Sequence, residues 1–126
     1  MARSQPRWGW HQLNTQSATR LVSDAALPHD SLVLDIGAGN GAITRPLVDA
    51  GHQVVAVELH PGRARQLEQR FGSRITVVRA DASDLRLPRR PFHVVANPPY
   101  AITTAVLRRL LQRVRRLQTA YLVLPY

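Results

Sequence analysis

The chain has no cysteine and no lysine. Without cysteine, disulfides and thiolate metal sites are excluded, and a reducing, cytoplasmic setting is the expectation. No apolar run approaches the length needed to cross a bilayer. The basic stretch Met1 to Trp10 leads into no apolar segment of the signal-peptide kind. The five histidines are scattered, with no metal-ligand spacing, so no metal is expected. Neither a nucleophile elbow nor a Walker loop is present.

What is there is basic. All 17 cationic residues are arginine, against 8 acidic ones, giving a net charge of +9 and a pI near 11.6. Coding bias toward arginine accounts for the missing lysine but not for the excess over acid. The guanidinium is the better phosphate fork and base-stacking partner, so the expected partner is a polyanion, nucleic acid. With 126 residues and 44% hydrophobic content, the chain suits one globular domain, expected to be a monomer.

Residues 1–14 read as a basic arm. Arg3, Arg7, Trp8 and Trp10 in it could touch RNA by charge and stacking. For each residue singly, a frayed terminus whose tryptophans cap the core is the slightly better account. Residues 15–126 read as the main domain. Ala18, Leu21, Val22 and Ala25 recur at helical spacing over Gln16–Leu27, with Thr15 as N-cap. Short apolar runs at Leu32–Ile36, Gln53–Glu58, Arg74–Arg79, Phe92–Ala96 and Thr119–Pro125 read as strands. Helices are expected between them at Ala42–Ala50, from Pro61 to Phe71, and at Thr103–Val114. Alternating strands and helices predict an α/β, Rossmann-like fold with a mostly parallel sheet in the order 3-2-1-4-5. The fifth strand is then a bare edge, which predicts that the sheet is incomplete and that this is the N-terminal part of a longer design.

Three carboxylates fall at or just past successive strand ends. Asp35 precedes the turn Gly37-Ala38-Gly39-Asn40-Gly41, Glu58 closes the second strand, and Asp81 follows the third. Glycines here allow a tight turn and close approach of a ligand. Glu58 can accept from both hydroxyls of a ribose, and Asp81 from an adenine amine. Gly37, Gly39 and Ala42 also satisfy the loose dinucleotide pattern G-x-G-x-x-A, which makes a nicotinamide oxidoreductase the competing class. Asp35 argues against it, because a carboxylate repels a pyrophosphate and suits a cation. One ammonium, one ribose and one adenine together describe S-adenosylmethionine. Singly, Asp35 could instead cap a helix and Asp81 could be a surface turn residue.

Asn97-Pro98-Pro99-Tyr100 ends the fourth strand, which adjoins the first in this topology. Two prolines stiffen the corner. The Asn97 side-chain oxygen and the Pro98 carbonyl offer two acceptors for the two hydrogens of an exocyclic amine, and Tyr100 a ring for a flipped base. Alone, the stretch could be a proline turn with a buried tyrosine. Arg108 and Arg109 on the following helix are weaker RNA candidates, since a solvated face is the commoner role of such a run.

DIGAGNGA at 35–42, VAVELHP at 55–61, RADASDL at 79–85 and VVANPPY at 94–100 resemble the Erm family of ribosomal RNA adenine-N6 methyltransferases and their kin, the small-subunit rRNA adenine dimethyltransferases. The resemblance runs from about Trp8 to Leu124. It implies S-adenosylmethionine as methyl donor and one adenine of 23S rRNA as acceptor, with resistance to macrolide, lincosamide and streptogramin B antibiotics. It implies that Gly37, Gly39 and Gly41 line the methionine end, that Glu58 takes the ribose, and that Asp81 with Ala82 takes the adenine. Asn97, Pro98 and Tyr100 would hold the target base, with Asn97 also beside the cofactor. The family's Gln-Asn-Phe-Leu element is replaced here by Trp10-His11-Gln12-Leu13, and its helical C-terminal domain has no counterpart. The alternatives are methylation of DNA adenine or a protein glutamine, or a non-catalytic domain that binds cofactor or RNA.

Overall fold

The computed structural model describes residues 13–81, 84–98, 108–109 and 116–123. Its elements run α1 (Thr15–Ala25), β1 (Leu32–Ile36), α2 (Thr44–Asp49), β2 (Gln53–Val57), α3 (Pro61–Phe71), a short 3-10 turn (Gly72–Arg74), β3 (Ile75–Val78), β4 (Phe92–Ala96) and β5 (Leu117–Leu122). The five strands form one sheet in the order β3-β2-β1-β4-β5, with every pairing parallel. This is the topology the sequence predicts.

β1 and β4 are buried along their whole length, which is why both read as continuous apolar runs. Alternate residues feed two cores. Val33, Val54, Ala56 and Val95 pack beneath α1, α2 and α3, with Leu47, Leu67 and Phe71 from the helices. Leu34, Ile36, Val57, Phe92 and Val94 face the other side, where Leu85 packs on them. β5 is only half-buried and joins β4 with a register shift at Phe92/His93. His93 Nδ1 lies 2.6 Å from Thr119 Oγ1 across that pair.

Several boundaries differ from the sequence expectation. α1 begins one residue earlier and is capped by Asn14, whose Oδ1 accepts from Ser17 N at 2.7 Å, not by Thr15. α2 begins at Thr44 rather than Ala42. The ring of Pro46 collides with a helical carbonyl four residues back, so Ala42 stays in the turn. β3 is shorter than expected, and β5 is shifted toward the N-terminus. Of the helix expected over 103–114, only Arg108 and Arg109 are described, and both are helical. No helix among the described residues is long and apolar enough to cross a membrane.

Candidate active site

The parallel order brings the C-terminal ends of β2, β1 and β4 side by side, and residue parity does the rest. Asp35 lies on the face of Val33, Glu58 continues the face of Val54 and Ala56, and Asn97 that of Val95. All three therefore sit toward the helix layer at one end of the sheet. They are nearly sealed from solvent, at 1%, 7% and 7% exposure. Asp35, Gly37 and Asn97 line one cleft together with Leu13, Asn40 and Ile43. Pro98 is buried beside Asn97.

The turn after β1 is built on left-handed backbone. Gly37, Gly39 and Gly41 have φ of 74°, 59° and 86°, a region that side chains with a Cβ avoid. Its donors point inward. Gly37 N and Ala38 N both donate to Val57 O, at 2.8 and 3.1 Å, and Gly41 N to Ala38 O at 3.0 Å. Gly39 N donates to Glu58 Oε1 at 2.8 Å, and Ala42 N to Asn40 Oδ1 at 3.2 Å. A phosphate-binding turn aims such groups at the anion. This one commits them to the Val57 carbonyl and Glu58 carboxylate at the end of β2 and to its own Ala38 and Asn40 oxygens, which disfavours the dinucleotide alternative.

The two carboxylates differ in their partners. Glu58 accepts from Gly39 N through Oε1 and from His60 N through Oε2 at 2.9 Å. Each oxygen retains a second lone pair, so the group can still accept from two hydroxyls. Asp35 accepts from the Thr44 hydroxyl at 2.7 Å. Burial pushes its carboxyl up to about 7; the Thr44 hydrogen bond opposes the rise and the charge of Glu58 adds to it. A cation in the cleft would restore its ionised form. The donor set therefore fits a ligand with a cationic end and a vicinal diol.

The other expected residues are placed as follows. Asp81 is exposed, three residues beyond the end of β3, and its carbonyl accepts from Asp84 N. Arg109 Nε donates to Leu85 O at 3.1 Å, tying its helix to the loop after Asp81, while Arg108 is exposed. Arg3, Arg7, Trp8, Trp10, Ala82 and Tyr100 lie outside the described residues. Among the described residues no cluster of metal-ligating side chains occurs. His60 accepts from Gly62 N and Arg63 N as the cap of α3, and His52 Nδ1 accepts from Ser31 N.

Two residues were not singled out from sequence. Thr44 is completely buried, and a lone hydroxyl in a helix carries no periodic signal. Leu59, directly after Glu58, is 58% exposed. Its signal was there to see: an apolar side chain one step past a strand end, where the sheet no longer covers it.

Comparison with known proteins narrows the class. The sequence pattern of the family described as ribosomal RNA adenine dimethylase matches residues 4–126. The chain is 48% identical over 79 residues to the mycinamicin-resistance protein MyrB of Micromonospora griseorubida, covering 63% of this chain and 25% of that protein. It is 40% identical over 121 residues to ribosomal RNA small subunit methyltransferase A of Thermosynechococcus vestitus, covering 92% and 45%. The crystal structure of the 23S rRNA methyltransferase ErmE superposes with a TM-score of 0.79 at 33% identity, covering 89% of this chain and 46% of that one. The chain thus spans from a quarter to just under half of the length of these relatives, and its sheet is the Rossmann-like sheet of methyltransferases.

Proposed function

This chain belongs to the ribosomal RNA adenine dimethylase family, and on that premise we propose that it serves the S-adenosylmethionine-dependent N6-methylation of an adenine in 23S rRNA, conferring macrolide, lincosamide and streptogramin B resistance. The observation that carries the proposal is the placing of Asp35, Glu58 and Asn97 at adjoining strand ends, with Asp35 and Asn97 lining one cleft and Glu58 bonded to the glycine turn beside it. The likeness to the 23S rRNA methyltransferase ErmE supports the large-subunit target, and that to a mycinamicin-resistance protein supports a role in resistance. The longer match to a small-subunit methyltransferase supports a second reading, in which the adenine belongs to 16S rRNA.

Bound S-adenosylmethionine supplies an electrophilic methyl group. In the proposed site Asp35 holds the ammonium, Glu58 the ribose hydroxyls, and Asp81 with Ala82 the adenine edge, while Leu59 offers an apolar surface. Gly37, Gly39 and Gly41 let the turn approach the methionine end. The Asn97 oxygen and the Pro98 carbonyl take the two hydrogens of the target amine, which withdraws the nitrogen lone pair from the ring. Tyr100 stacks on the base. No strong base is needed before attack, because the group displaced is a neutral thioether. These residues act by position and electrostatics. Arg3, Arg7, Trp8, Trp10, Arg108 and Arg109 are the proposed RNA contacts, with Arg109 also tied to the loop after Asp81.

The test is methyl transfer from labelled S-adenosylmethionine to 23S and 16S rRNA, DNA and protein acceptors. A single labelled adenine in 23S rRNA is the expected result. Label confined to 16S rRNA selects the second reading. Cofactor binding without transfer to any acceptor overturns both and leaves a cofactor-binding domain.

A further inference from the structure

We propose that Thr44 is a positioning residue for the cationic end of the cofactor: its buried hydroxyl holds Asp35 Oδ2, so that the other carboxylate oxygen is the one presented to the cleft. The inference rests on the assignment of Asp35 to the ammonium group.

Asp35 lies on the central strand β1, on the face that packs against the helices. Thr44 opens α2, directly above that face, and is fully buried. Its Oγ1 donates to Asp35 Oδ2 at 2.7 Å, a buried contact between the strand and the helix that follows it. The hydroxyl does not serve as a helix cap: the cap position is Ile43, which makes no side-chain capping bond. A β-branched side chain has few χ1 states, so its hydroxyl has a fixed direction. An aspartate with both oxygens loose can turn about χ2, and a carboxylate that turns must be ordered again when a cation arrives. Holding one oxygen removes that ordering step. The same bond favours the ionised carboxylate, against the repulsion of Glu58 on the neighbouring strand end. Glu58 is the titratable group that acts on Asp35. α2 contributes the neutral Thr44 and the end of β4 contributes the neutral Asn97.

The experiment compares Thr44→Val, which keeps the shape and removes the hydroxyl, with Thr44→Ser, which keeps the hydroxyl. Dissociation constants are measured by calorimetry for S-adenosylmethionine and for 5′-methylthioadenosine, which lacks the amino-acid end. The valine variant is expected to bind S-adenosylmethionine about two- to tenfold more weakly, the cost of ordering one freed side chain on binding. Its affinity for methylthioadenosine stays unchanged, and serine restores the difference. Where transfer is measurable, KM for the cofactor rises and kcat is kept. Equal weakening of both ligands makes Thr44 merely structural and overturns the proposal, as does an unchanged constant for S-adenosylmethionine. Thr44→Ala gives the same readout should valine not be accommodated. Wild-type protein that binds neither ligand overturns the cofactor assignment itself, which is a different result from either variant outcome.

Discussion

Gly39 donates its backbone N–H to Glu58 Oε1 at 2.8 Å, so the turn after the first strand is held by the carboxylate that ends the second. The proposed ribose ligand is thus also the residue that shapes the turn for the methionine end. Binding and local structure are coupled at this position.

Glu58→Ala leaves the N–H groups of Gly39 and His60 without their acceptor. The Gly39 donor is buried, and an unsatisfied buried donor costs about 1–3 kcal/mol, whereas the exposed His60 can turn to water; a lowered melting temperature is expected together with loss of S-adenosylmethionine binding. Glu58→Gln keeps one acceptor oxygen. It should recover part of the stability while binding the cofactor at least about tenfold more weakly, the effect of losing a charged acceptor. A glutamine variant with wild-type affinity in calorimetry would remove Glu58 from the ribose site.

Gly41 and Gly51 form a matched pair. Both have strongly positive φ, 86° and 84°. A Cβ on Gly51 meets nothing within 4 Å, whereas on Gly41 it comes within 3.0 Å of Phe71 Cε2 and 3.2 Å of Leu67 Cδ2. Gly51→Ala should lower stability by about 1 kcal/mol through backbone strain alone. Gly41→Ala adds overpacking and should lose about 2–4 kcal/mol in urea unfolding. Equal losses would show that Phe71 yields without strain.

Asp35 predicts opposite pH trends for folding and for binding. Its folded value, about 7, lies above the ordinary 3.8. The folded chain therefore keeps a proton that the unfolded chain releases between those values. The stabilising contribution is complete below about 3.8 and is lost as the pH rises through 7. A cationic ligand prefers the ionised carboxylate, so affinity for S-adenosylmethionine should rise from about pH 5.5 to 7, below the range of about 7.7–8.0 in which the ligand's own α-amino group loses its proton. Burial lowers the pKa values of His52 and His93, so they also move the stability curve. Asp35→Asn isolates the aspartate: in that variant the loss of stability with rising pH should disappear, leaving the contribution of the two histidines, and the rise in affinity should flatten. Affinity that does not change with pH would contradict a cation at Asp35.

Asn97→Ala should abolish methyl transfer, by at least about a hundredfold as for loss of a positioned polar group, and spare cofactor affinity. Loss of both activities in the same variant would assign Asn97 to the structure of the cleft instead. Transfer assays and calorimetry on one preparation distinguish the two.

The sheet order, the two fully buried strands and the placing of Asp35 and Glu58 at adjoining strand ends were legible in the sequence, because burial on both faces writes mostly apolar runs and parity fixes which side a residue takes. The start of α2 was not, since a proline excludes positions behind it as well as its own. The Asn14 cap was missed because Thr15 and Asn14 are both good capping residues and only the backbone decides between them. The Asp35–Thr44 contact was also missed: Thr44 reaches Asp35 only once the glycine turn has folded the helix back over the strand. The exposure of Asp81 follows from where β3 stops pairing, a property of its register with β2.

The strand order has a consequence for how the chain assembles. β1, β2 and β3, with the helices between them, are complete within the first 78 residues, and they already carry Asp35, Glu58 and the glycine turn. β4 then pairs on the open side of β1, bringing Asn97. During synthesis the donor side of the site can form first, while the inner edge of β1, wholly apolar but for Asp35, waits for a partner synthesised some sixty residues later. An unpaired apolar edge is the place where chains associate wrongly. The interval between β1 and β4 is accordingly the stage at which a holding chaperone would do most for the yield of folded protein.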